Sequence, residues 1–148
     1  MSVEIKRVGP DQLNEASVLF DAYRIFYKQA ADINAAKDFL QQRLTNNESV
    51  IFLAYADNNA VGFCQLYPIF SSVGLQRTWL LNDLYVNGSA RGKGIAAALL
   101  QQAKAFGIET NARWLMLETA ADNLTAQSVY EKNGWKKIDD VFYELWLG

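Results

Sequence analysis

The segment Arg91-Gly92-Lys93-Gly94-Ile95-Ala96 is the part of this chain best suited to bind an anion. It lies between a strand-like run and a strongly amphipathic helical run. Its successive backbone N–H groups can therefore point outward together at the positive end of a helix. Gly92 and Gly94 let an anion approach the backbone without meeting a side chain, Arg91 and Lys93 add positive charge, and the small Ala96 allows close contact. Such a nest suits a pyrophosphate. It is not a Walker loop, which ends in Gly-Lys-Ser/Thr, and no six-residue dinucleotide-binding glycine pattern is present. Taken alone, a strand-to-helix turn with two glycines serves structure as readily as binding.

What is missing narrows the chemistry further. The chain contains no histidine, which excludes Ser-His-Asp and Cys-His nucleophile systems and any His-containing metal site. Cys64 is the only cysteine, so an internal disulfide and a thiolate zinc cage are both excluded, and no metal is expected. A reducing, cytoplasmic compartment fits that usage. Lys plus Arg number 14 against 16 for Asp plus Glu, a net charge of -2, which lacks the basic excess of a nucleic-acid binder. Residues 1–10 alternate charged and apolar positions, and no stretch approaches the apolar length of a membrane span, so neither a secretion signal nor an anchor is expected.

These residues need a scaffold, and the hydrophobic periodicity supplies one. The 148 residues, 51% hydrophobic and 20% charged, fit a single domain spanning 1–148. Alternation at Val3 and Ile5 predicts a strand, and Gly9-Pro10-Asp11 ends it. Leu13, Ala16, Phe20, Tyr23 and Tyr27 recur at helical steps and predict a helix over 11–28; a second is expected over 33–44. Residues 49–56 and 60–70 read as a hairpin around Asp57-Asn58-Asn59, and 78–86 as the next strand. A helix to about residue 106 follows the glycine turn, then a strand over 113–118. A helix over 123–132 has Gly134 at its C-terminal cap, and short strands over 135–138 and 141–146 finish the chain. The order β-α-α-β-β-β-α-β-α-β-β describes an α/β fold with a mixed, twisted sheet of about seven strands flanked by helices.

In that context two motifs resemble the GNAT acetyltransferase superfamily. Leu80 to Val86 followed by Arg91-Gly92-Lys93-Gly94-Ile95-Ala96 is similar to the family's central Arg/Gln-x-x-Gly-x-Gly/Ala after a strand. The later run Asn123, Ala126, Tyr130, Gly134, Trp135 is similar to Asn-x-x-Ala-x-x-x-Tyr-x-x-x-Gly-Phe, with Trp135 in place of Phe. The resemblance covers essentially the whole chain. It implies an acetyl-CoA-dependent N-acetyltransferase, with the pyrophosphate on the amides from Arg91 to Ala96. The pantetheine arm would lie along Leu84, Tyr85 and Val86, with Asn123 and Ala126 contributing. It also implies that a backbone N–H of Tyr85 or Val86 faces the thioester carbonyl and that Tyr130 protonates the departing sulfur. A phenol of ordinary pKa, about 10, is protonated near neutral pH. Direct attack of an amine on a thioester needs no histidine, metal or enzyme nucleophile, in agreement with the composition. Asn123 also reads as a simple helix N-cap, Lys93 as a solvated charge and Tyr130 as a packing residue.

Asp83 is the carboxylate nearest the implied reacting centre and the candidate for base or cation binding; Glu118 is the reserve. The strand is similar to that of polyamine-acetylating members, except that Asn82 replaces a glutamate. The alternative is an Asp83 paired to Arg77 or Arg24. Asp21, Tyr23 and Tyr27, with Asn82 and Glu118, are expected to line a pocket for a small cationic amine. The leading expectation is acetyl transfer to a primary amine of a small molecule. Acetylation of a protein lysine or N-terminus, and a non-catalytic CoA-binding module, are the alternatives. The apolar run from Val141 to Leu147 suggests a homodimer.

Overall fold

The computed structural model describes residues 2–148 as two compact units, one ending at Glu118 and the other spanning Thr119–Gly148. In the first unit the order is β1 (Val3–Arg7), α1 (Leu13–Phe26), α2 (Ile33–Thr45), β2 (Val50–Ala56), β3 (Asn59–Ser71), β4 (Gln76–Val86), α3 (Ile95–Glu109) and β5 (Leu115–Met116). The five strands form one mixed sheet in the order β1-β2-β3-β4-β5, antiparallel except for the β4–β5 pair. The second unit contains α4 (Leu124–Lys132).

Local chemistry accounts for these elements. Asp57 and Asn58 both take positive φ, 50° and 71°, the tight-turn conformation that short polar side chains tolerate. Strand β2 is buried along its whole length because helices cover both faces of the sheet. On one side Ile51, Leu53 and Tyr55 pack with Leu13, Ala16, Leu19 and Phe20 of α1 and Leu40 of α2. On the other, Phe52 meets Phe106 of α3 edge to face, with ring centroids 5.6 Å apart, and Trp79 meets the same ring at 5.0 Å. Residue Gly62 of β3 admits no Cβ, which would lie 2.8 Å from the Tyr85 carbonyl oxygen and 3.4 Å from Ile95.

Helix α4 begins at the Asn123 N-cap, whose side chain accepts from the Ala126 N–H at 3.1 Å. It ends with Gly134 at φ +91°, the cap position expected from the sequence. The two expected final strands are a correction: residues 135–148 carry no helix or strand. Their β-forming side chains stand in solvent, Tyr143 at 93% exposure, and a strand is a pairing with a neighbour, which composition alone does not provide. The expected strand over 113–118 is also shorter, reduced to Leu115–Met116.

Candidate active site

Strand β4 carries Asn82, Asp83 and the residues that run into the glycine turn. β3 follows it to its end, where Gly62 pairs with Val86, but β5 pairs with it only at Trp79 and Leu80. Among the described residues, the side of β4 that faces away from β3 has no strand partner from Leu81 onward. The Asn87 N–H donates to the Val61 carbonyl at 2.8 Å, so alternation turns the Tyr85 N–H toward β3 and the N–H groups of Leu84 and Val86 the other way. Arg91 Nε donates to the Val86 carbonyl at 3.0 Å, consistent with that direction.

The glycine turn follows. Gly92 and Gly94 adopt φ of +76° and +78°, and Gly94 is the N-cap of α3. A Cβ built on either glycine meets no atom within 4 Å, so the space above this backbone is open. The first N–H groups of α3 have no carbonyl of their own helix to bond, and no acidic side chain lies in that first turn. Ile95 itself is buried and anchors the turn, while Arg91 and Lys93 are exposed. This open cradle at a helix N-terminus fits the diphosphate of a CoA-type donor.

Behind the turn, Asp83 is 4% exposed and sits at a register irregularity: Gln65 pairs with Asp83 but Leu66 pairs with Leu81, leaving Asn82 as the extra residue of β4. Asn82 Nδ2 donates to Asp83 Oδ1 at 3.1 Å, and Gln65 Nε2 donates to Asp83 Oδ2. The Tyr23 hydroxyl reaches the same carboxyl from α1. Burial pushes the Asp83 pKa up, and the three donors Gln65, Tyr23 and Asn82 pull it back. Burial and the facing Asp83 also raise Tyr23 well above the ordinary phenol range and push Tyr67 up to about 12. An aromatic wall surrounds the group: Tyr23 lies 5.6 Å from Phe63, 5.0 Å from Tyr27 and 6.0 Å from Tyr85 between ring centroids.

The structure thus brings Asn82 and Tyr23 to Asp83, with Tyr27 beside them. Asp21 is elsewhere. Two positions before Tyr23, it lies about 200° round the helix axis, and its carboxylate accepts from the Asp32 N–H at 3.0 Å. The Asp–Arg alternative for Asp83 is not what forms: its partners are Gln65, Asn82 and Tyr23, neither Arg77 nor Arg24 makes an ion pair with it among the described residues, and Arg77 stacks on Phe70 and Trp79 at 5.0 and 5.1 Å. Glu118, exposed, closes the first unit after β5. In the second unit Tyr130 is half-buried with its ring 6.4 Å from Trp135, and Asn123 and Ala126 share the N-cap bond. The sequence gives no sign of Gln65, which meets Asp83 only once β3 and β4 are paired, or of Ser49, which bonds Gln65 from the residue before β2.

A mixed sheet, a strand pair that parts and a glycine turn at the opening together define an acyl-transferring α/β domain. The chain belongs to the GNAT acetyltransferase family, whose model, described as Acetyltransferase (GNAT) family, matches residues 16–135. The uncharacterized N-acetyltransferase YhfO of Bacillus subtilis (strain 168) is 46% identical over 119 residues, 80% of each chain. The crystal structure of a probable acetyltransferase superimposes with a TM-score of 0.93 at 40% identity, covering 98% of each chain. The streptothricin acetyltransferase of Escherichia coli is 29% identical over 99 residues, 67% of this chain and 54% of that protein. The protein is an acyltransferase enzyme.

Proposed function

We propose that the enzyme moves an acetyl group from acetyl-CoA to a primary amine of a small molecule. The observation that carries this reading is the continuity of β4, which holds Asp83 and, within the next few residues, the open-edge amides of Leu84 and Val86 that lead into the glycine turn. Acetyl-CoA supplies an activated acyl group as a thioester. The amides from Arg91 to Ala96 bind its diphosphate, the strand Leu84, Tyr85 and Val86 takes the pantetheine arm, and the Val86 N–H donates to the acyl oxygen. The resemblance of Asn123 and Ala126 to the family's later motif supports a part for them in donor binding.

Asp83 takes the proton that an ammonium must lose before its nitrogen can attack. Burial favours that role, because a carboxyl raised toward the working pH is a better proton acceptor than one of ordinary pKa. The tyrosines at 23 and 27 offer ring faces to the approaching cation, and Asn82 orients the carboxylate. Tyr130 holds the proton that the departing sulfur takes up. The name of the streptothricin relative supports a small-molecule acceptor. The exposed apolar side chains of Val141, Phe142 and Leu145 support a homodimer, which sedimentation of the intact chain tests; a pure monomer removes it.

Free-thiol release from acetyl-CoA across a panel of amines is the deciding assay. Turnover with diamines or amino-sugar amines is expected. Turnover confined to a peptide amine would move the acceptor to a protein, and CoA binding without turnover on any amine would leave a binding module.

A further inference from the structure

We infer that Gln65 and Ser49 are positioning residues for Asp83, forming a buried hydrogen-bond chain that fixes how the carboxyl is presented to the acceptor side. Ser49 Oγ donates to Gln65 Oε1 at 2.7 Å, and Gln65 Nε2 donates to Asp83 Oδ2. Gln65 is 0% exposed and Ser49 6%, so the chain runs through the sheet interior from the start of β2 across β3 to β4. Its polarity is locked. Turning the Gln65 amide over would present an oxygen to the carboxylate and an N–H₂ group to the serine hydroxyl, losing the donor that Asp83 uses. With Asn82 on the other oxygen, both carboxylate oxygens have a fixed donor, and Tyr23 completes the set from α1.

A leucine or methionine would fill the same volume, in a strand whose Phe63 and Leu66 are equally buried, without a polar group to satisfy, and a buried amide is tolerated only when bonded. A polar chain held in an apolar core is explained by what stands at its end. The inference rests on the reading of Asp83 as proton acceptor. The ionisable groups facing Asp83 are Tyr23 from α1 and Tyr67 from β3; Cys64, on the opposite face of β3, feels its charge through the sheet, and Arg43 of α2 acts on Tyr67. Burial pushes Cys64 and Tyr67 up to about 12 and Tyr23 upward as well, so the acid side of the profile belongs to Asp83.

The test follows the Asp83 carboxyl by carbon-13 NMR in the full-length protein, its signal assigned by its loss in Asp83→Asn. Gln65→Met keeps the length and removes the donor, which disfavours the charged carboxylate. The Asp83 midpoint should rise above the wild-type value. The acid limb of kcat/KM should move up with it, a roughly ten-fold loss on that limb with the alkaline plateau kept. Ser49→Ala should shift both in the same direction by less, and it carries the test if Gln65→Met does not fold. Unmoved midpoints overturn the positioning role. A midpoint that moves while the rate profile stays still overturns the proton-acceptor reading of Asp83, and the catalytic content of this proposal with it.

Discussion

Arg91 and Phe26 are stacked, the guanidinium 5.2 Å from the ring centroid, while Arg91 Nε holds the Val86 carbonyl at 3.0 Å. Both partners are formally neutral, and the guanidinium stands at the mouth of the glycine turn. The same contact ties the end of α1, where Tyr23 and Tyr27 lie, to the donor side of β4.

Replacing Arg91 with Met should therefore weaken CoA binding while the fold stays intact. Loss of a charge-assisted contact to phosphate corresponds to about 1.5–3 kcal/mol, or roughly a ten- to hundred-fold rise in the CoA dissociation constant. Isothermal titration measures it, and unchanged affinity would place the phosphates elsewhere.

Gly94 has a backbone that L-residues rarely adopt, so Gly94→Glu adds strain of about 1 kcal/mol and puts an anion where the diphosphate is expected. Saturating CoA should raise the Tm of the wild type by mass action and leave that of the variant in place. A wild-type melting curve indifferent to millimolar CoA would remove the donor site from this turn.

Tyr130→Phe tests the acid. Turnover should fall by roughly ten- to ten-thousand-fold with CoA affinity and Tm nearly unchanged. Full turnover would return Tyr130 to packing against Trp135, and a parallel loss of Tm would make its hydroxyl structural.

Asp83→Asn separates charge from shape. Acceptor efficiency should drop by roughly ten- to hundred-fold, more for a diamine than for a neutral-tailed amine, and the acid limb of the profile should disappear. Stability should move the other way. Because burial raises the folded-state pKa of Asp83, the carboxyl's stabilising contribution is complete below its unfolded value of about 3.9 and is lost as pH rises through the raised value. The Tm of the variant relative to wild type should therefore improve between pH 4 and pH 8. A constant difference would mean that Asp83 has an ordinary pKa.

Much of this was legible before any pairing was known. The Asp57-Asn58 turn, the Asn123 cap, Gly134 and the positive-φ glycines at 92 and 94 are local chemistry, and local chemistry can be read along a chain. Asp83 stood out by type and place. Its surroundings did not, because Gln65 and Ser49 reach it only through the register of three strands and the extra residue at Asn82. Asp21 and Tyr23 looked like neighbours in one pocket, yet two steps along a helix point to different sides. The run from Val141 to Leu147 has the composition of a strand without the pairing that makes one.

The early parting of β5 from β4 has an evolutionary meaning. On the proposed reading the donor is held by the Leu84 and Val86 main chain, which every residue type except proline supplies, so the side chains there can drift toward better packing without erasing the donor preference. On the same reading acceptor choice rests on the side chains of Tyr23, Tyr27 and Asp83, which single codon changes can rewrite. A lineage built on this plan can hold one donor constant and exchange acceptors freely.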